Sequence, residues 1–348
     1  MRDLWIDRLF SIAGLALLLA VLAQPGHAGA PRQPAQQGDA LAPLIPAQLK
    51  GYWWIDGSEG LDISGLSFCG GELLAVADKS SESLYSLLPE PGSNKVSLVQ
   101  KAAFARPQLP GDQPVSLKAR ALHVASKPLS MDFEGITCDD RQVYLLSERH
   151  NRIAVLDQRN HRADWLAVKW SESARKHGYL QQFNAESEGV VRAGTDFWVA
   201  LERDPRGLLR LKPEDKEGLE FFPVPPVAAL DFRGRSADLT GLAIFDGALF
   251  TLERNAFAVC RRSLDSLEAE WCLDYREYEE GAQTVYLETR YGKGEGLAIN
   301  SSGIFVVLDN NGVGRAAAPA DNRGLLLQLA FPSAAQTAAL LPDNDSGR

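Results

Sequence analysis

The chain is 348 residues long, 45% hydrophobic and 23% charged, an ordinary globular composition with length for one large β domain or two average ones. A formal net charge of −9 and a pI near 5.2 argue against a nucleic-acid backbone binder, which needs a clustered basic face to release counterions. They fit a protein whose acids gather around a cation.

Arg2 and Arg8 precede an apolar run from Leu9 through Ala23, and small residues follow at Gly26-His27-Ala28-Gly29-Ala30. That is the pattern of a secretory signal over residues 1–28, cleaved after Ala28. The run is short for a spanning helix, which wants roughly 20 apolar residues. Asp3 and Asp7 dilute the positive start, so an uncleaved anchor stays open, while no cysteine at the junction suggests a lipid anchor. Residues 29–47 are rich in Ala, Pro and Gln without periodicity and read as a flexible linker. The expected location is periplasmic or secreted, with no membrane contact after signal removal.

From residue 48 to 332 one sentence recurs. Ile63-Ser64-Gly65-Leu66 leads to Val76-Ala77-Asp78-Lys79, and Phe133-Glu134-Gly135-Ile136 leads to Leu146-Ser147-Glu148-Arg149. Ser187-Glu188-Gly189-Val190 leads to Leu201-Glu202-Arg203, Leu239-Thr240-Gly241-Leu242 to Leu252-Glu253-Arg254, and Gly294-Glu295-Gly296-Leu297 to Leu308-Asp309-Asn310. From glycine to closing acid the spacings are 78−65 = 13, 148−135 = 13, 202−189 = 13, 253−241 = 12 and 309−296 = 13. The glycines lie 70, 54, 52 and 55 residues apart (135−65, 189−135, 241−189, 296−241), a period that points to a propeller or a solenoid. Each unit holds short β-rich runs split by Gly, Asp and Asn turns, so the expected class is all-β, a β-propeller of five blades.

Leu49 to Ile55 is a strand with no partner of its own, and the last unit offers only Gly324 to Leu329 after Ile304 to Leu308. An N-terminal strand that joins the last blade would close the ring and remove open sheet edges. A long insertion from Pro89 to Pro128 leaves a sixth blade open, Trp170 to Phe183 reads as a polar, helix-capable loop, and residues 333–348 read as a disordered tail.

Five-fold repetition would bring Asp78, Glu148, Glu202, Glu253 and Asp309 around one opening, with Glu134, Glu188 and Glu295 directly before their glycines. Converging carboxylates repel and raise one another's pKa unless a cation sits among them. All-oxygen ligation suits Ca²⁺ before Mg²⁺, so these eight acids form the candidate metal set. The plainer reading of any single acid is a hydrogen bond to the next blade's backbone. Lys79, Arg149, Arg203 and Arg254 follow closing acids; they read either as interblade ion pairs or as the residues that bind an anionic substrate. Among the four cysteines, Cys260 and Cys272 flank an outer hairpin and suit a cross-strand disulfide, and Cys69 and Cys138 end equivalent strands of neighbouring units. Neither a G-x-S-x-G turn nor a strand–loop–helix nucleotide motif is present.

The paired motifs Asp132-Phe133-Glu134-Gly135 with Ser147-Glu148-Arg149, and Glu186-Ser187-Glu188-Gly189 with Leu201-Glu202-Arg203, resemble the exported bacterial "esterase-like activity of phytase" (phytase-like) family over about Gly51 to Phe331. The resemblance implies a calcium-associated propeller with phosphoesterase capability. Two functions follow as expectations. One is a calcium-dependent phosphoric or carboxylic ester hydrolase, a monomer acting on a small anionic ester at the acidic mouth, with no catalytic residue assigned. The other is a non-catalytic envelope propeller that binds a ligand or protein through its rim loops.

Overall fold

A computed structural model describes residues 42–89, 92–108, 130–182, 185–234 and 237–338. The signal segment, most of the linker, residues 90–91 and 109–128 of the insertion, and the last ten residues lie outside the described residues.

Among the described residues the alternating apolar pattern produces twenty-one strands that stack as five blades. Blade 1 is β3 (Ile63–Cys69), β4 (Glu72–Ala77), β5 (Ser80–Pro89) and β6 (Lys95–Ala103). Blade 2 is β7 (Phe133–Cys138), β8 (Val143–Ser147), β9 (Arg152–Asp157) and β10 (Arg162–Trp165). Blade 3 is β11 (Ser187–Ala193), β12 (Asp196–Leu201), β13 (Gly207–Lys212) and β14 (Asp215–Pro223). Blade 4 is β15 (Gly241–Phe245), β16 (Ala248–Glu253), β17 (Ala258–Ser263) and β18 (Ala269–Asp274). Blade 5 takes β19 (Gly294–Asn300), β20 (Gly303–Leu308) and β21 (Leu325–Leu329), and is completed by the N-terminal β2 (Leu49–Asp56) paired antiparallel to β21.

The protein is thus a five-bladed β-propeller closed by its N-terminal strand. Edge strands left bare invite pairing with other chains, and here several are covered. β2 also pairs in parallel with β6, from Trp54 opposite Lys95 to Asp56 opposite Ser97, which joins blades 5 and 1. β1 (Leu44–Pro46), which composition assigns to the linker, instead pairs in parallel with β18. Within the 89–128 insertion, Lys95–Ala103 is no extra blade but the outer strand of blade 1. The loop before blade 3 carries the expected helix, Ser171–Lys176.

The recurring glycines explain how five inner strands meet at the axis. A Cβ on Gly65 would lie 3.0 Å from Gly135 Cα, one on Gly135 3.0 Å from Val190 N, and one on Gly189 3.0 Å from Thr240 O. One on Gly241 would meet Leu297 N at 3.1 Å and one on Gly296 would meet Leu66 N at 3.0 Å, which returns to blade 1. Each blade's glycine therefore faces the backbone of the next, and no larger side chain fits without moving it. Apolar residues fill the space between blades, as where Tyr144 of β8 meets Phe197 of β12 edge to face at 4.8 Å.

Both disulfides form. Cys260 and Cys272 are directly opposed on β17 and β18, and Cys69–Cys138 links the far ends of the inner strands of blades 1 and 2.

Candidate functional site

Four inner hairpins share one ladder, Gly65 pairing with Val76, Gly135 with Leu146, Gly241 with Leu252 and Gly296 with Val307, each partner eleven residues on, and in blade 3 the residue after the glycine, Val190, pairs with Val199. In blades 1, 2, 3 and 5 the residue thirteen past the glycine turns over the mouth, and its backbone N–H fixes the edge. Asp78 N donates to Asp62 O at 3.0 Å, Glu148 N to Asp132 O at 2.9 Å, Glu202 N to Glu186 O at 2.9 Å, and Asp309 N to Lys293 O at 2.8 Å.

Blade 4 departs from the expected ring of five acids. Its hairpin is the same length, so the mouth position is Arg254, thirteen residues from Gly241, and Glu253 falls one place early. A one-residue shift on a strand moves a side chain to the opposite face. Glu253 therefore points into the protein, fully buried, where Arg206, Arg262 (Nη2 to Oε1, 2.8 Å) and Thr251 (2.9 Å) saturate it. Those cations hold its carboxyl below the usual range against the effect of burial. Glu253 has no free oxygen for a metal ion and does not belong to the mouth set.

Five of the seven remaining predicted acids converge in two groups, which Glu295 and Asp309 do not join. Asp78, Asp132 and Glu134 each offer a carboxylate oxygen within 4.8 Å of the others, and so do Glu148, Glu188 and Glu202. For Asp78, Glu134, Glu148 and Glu188 burial is the main reason the proton is held tightly, and mutual repulsion adds to it. Asp78 is pushed up to about 8, with Asp132 as hydrogen-bond partner and repelling charge; Glu148 is pushed up to about 8 beside Asp132, Glu186 and Asp78. Glu134 and Glu188 are raised well above the carboxylate range, Glu295 is raised although Arg254 opposes it, and Asp309 rises to about 6.

Two oxygens in this group are orphaned. Glu202 is 1% exposed; Arg203 and Arg254 take its Oε1, while Oε2 is buried with no hydrogen-bond partner. Glu148 Oε1 is likewise buried and unpartnered. Buried acceptors without donors are costly. Three carboxylates with two such oxygens fit a hard divalent cation such as Ca²⁺.

The four predicted bases all have acidic partners. Lys79 pairs with Asp62 at the rim, Arg149 with Asp132 at 3.1 Å and Arg203 with Glu202. Arg254 alone reaches three acids of three blades: Asp238 (2.7 Å), Glu295 (2.7 Å) and Glu202 (2.6 Å). Residues three places before each glycine also form part of the site: Asp62, Asp132, Glu186 and Asp238, with Lys293 in the fifth unit. The closing acids drew the motif reading away from them, yet an acid in four of five equivalent positions is a sequence signal of the same kind.

The fold and the site define a five-bladed propeller with an acidic, partly charge-compensated mouth. No protein-family model matches the sequence, and none of the curated proteins does. Among solved structures the chain is similar to glutaminyl cyclase from Myxococcus xanthus, at 11% identity over 84% of this chain and 100% of that one, with a TM-score of 0.47. It is also similar to streptogramin B lyase, at 11% identity over 80% and 96% with a TM-score of 0.38. The PQQ-bound aldose sugar dehydrogenase from Streptomyces coelicolor follows, at 13% identity over 83% and 97% with a TM-score of 0.39.

Proposed function

We propose that the chain is a calcium-dependent hydrolase of small anionic phosphoric or carboxylic esters, a phytase-like propeller that works as a monomer outside the cytoplasm. The orphaned Glu202 Oε2 and Glu148 Oε1 beside Glu188 carry this reading. These three residues would hold the ion, with Asp78, Asp132 and Glu134 as the adjacent acidic set. Calcium bound there would supply Lewis-acid polarisation of an ester oxygen and a bound water of lowered pKa. Arg149 and Arg203 are partly exposed at the same mouth and would orient an anionic group through their planar forks. Two disulfides among the described residues fit the oxidising compartment to which a signal segment would deliver the chain.

A second reading has its own observation. Every predicted base is already paired with an acid, which favours a non-catalytic propeller whose ion steadies a ligand-binding mouth. Turnover of p-nitrophenyl phosphate, p-nitrophenyl acetate and phytate with calcium or with EDTA separates the two. The hydrolase reading expects activity that EDTA abolishes, calcium restores and Glu202→Gln removes. No metal-dependent turnover of any of the three removes it in favour of the binding propeller.

A further inference from the structure

The connection from blade 4 to blade 5 folds into a small cleft that none of the repeat motifs marks. Its charged lining is Arg233, Glu279, Glu280, Glu288 and Lys293, and its volume is about 10 Å³, room for one water-sized particle. Arg233 pairs with Glu280, and Lys293 Nζ with Glu288 Oε2 at 2.7 Å, so each base has an acid of its own. Among the described residues no base pairs with Glu279. It ends the short helix Arg276–Glu279 and is 4% exposed. Its Oε1 accepts the Lys293 backbone N–H at 2.8 Å, while its Oε2 is buried with no hydrogen-bond partner. Burial pushes this carboxyl up to about 8, although the Lys293 N–H and ammonium oppose the rise. One residue further on, a Cβ at Gly294 would lie 2.4 Å from the Tyr275 hydroxyl, a second fully buried group without a partner. Three acids against two bases leave the cleft one positive charge short, and a buried carboxylate oxygen left bare is costly. A divalent ion would exceed that deficit, an anion would deepen it, and a large organic cation does not fit the volume.

We propose that this cleft binds one small monovalent cation, an alkali ion or ammonium, through Glu279 Oε2. The site is separate from the acid groups of the mouth and needs no calcium there. Its occupant would steady Glu279 against the backbone of Lys293, whose carbonyl accepts the Asp309 N–H at the mouth edge at 2.8 Å.

The test melts the full chain at pH 8.5, where Glu279 is mostly ionised, with EDTA to keep divalent ions out and with potassium, sodium, ammonium or choline chloride at one ionic strength. The expected result is a melting temperature roughly 2–4 °C higher in at least one of the three small-ion salts than in choline chloride, whose cation is too large for the cleft. Glu279→Gln is expected to erase that difference, and so is Glu288→Gln, which frees the Lys293 ammonium to serve Glu279. Equal melting temperatures of the native chain in all four salts overturn the proposal. So does a difference that Glu279→Gln keeps; where that variant does not fold, a difference that Glu288→Gln keeps decides in the same way.

Discussion

Under the proposed calcium centre, an ion entering the mouth would have to expel protons, and the buried acids there set how strongly that would depend on pH. Glu148 is pushed up to about 8 by burial and by Asp132, Glu186 and Asp78, so below that pH it carries a proton in the metal-free protein. Each proton an ion displaces weakens its apparent affinity by about tenfold per pH unit below the group's pKa. From pH 8 to pH 6 one displaced proton costs roughly 100-fold, and Glu188, raised well above the carboxylate range, steepens the dependence. The metal-free protein is expected to show the opposite trend in stability. Its folded state keeps protons on Glu148 and Asp78 that the unfolded chain releases near 4.5 and 3.8, so stability falls as pH rises from those values to about 8. Isothermal titration with calcium from pH 6 to 9, in buffers of different ionisation enthalpy, measures both affinity and protons released. Glu148→Gln is expected to remove one proton from the balance. Equal calcium affinity at pH 6 and pH 8 would refute the placing of these acids around the ion.

Other outcomes follow from the same geometry. Glu253→Gln and Arg262→Met disturb a pair that is fully buried on both sides; each is expected to cost about 3 kcal/mol in urea unfolding while calcium binding stays intact. Glu202→Gln is expected to lose calcium, and because Arg254 keeps Asp238 and Glu295 and Arg203 is partly exposed, its cost in metal-free stability is expected to be smaller than that of Glu253→Gln. Replacing Cys69 and Cys138 by serine opens a loop spanning 69 residues and is expected to lower stability by about 4 kcal/mol on chain-entropy grounds, read as a fall in melting temperature. Gly189→Ala drives a methyl against Thr240 O, Leu242 N and Gly241 C at 3.0–3.2 Å. Because those are backbone atoms of the next blade, a cost of about 1–3 kcal/mol is expected, whereas Gly194→Asn in an open turn should be nearly silent.

The parts of the fold legible in the sequence were those that repeat. The glycine-to-acid spacing marked five hairpins, and the partnerless Leu49 to Ile55 indicated where the ring closes. Outer strands were harder to read, because exposure relaxes alternation. Arg162–Trp165, which no repeat motif marks, pairs with β9, and Lys95–Ala103 lay hidden in a proline-rich insertion. The site was legible where the repeat was regular and misled where it slipped. Aligning Leu252-Glu253-Arg254 with Leu201-Glu202-Arg203 matched letters rather than ladder positions, and the true equivalents are Glu253 with Leu201 and Arg254 with Glu202. The spacing of 12 among values of 13 recorded that slip, but its meaning needs the strand partners. The acids three places before each glycine were visible too, and only their folding back over the closing residues shows that they share the mouth.

The most direct test of the account is diffraction from a crystal soaked with calcium at pH 8. The account predicts density for an ion within 2.3–2.6 Å of oxygens from Glu148, Glu188 and Glu202, with Glu253 still bound to Arg262 and no ion beside Arg254. A mouth that contains only water, with those three carboxylates turned apart, would contradict it.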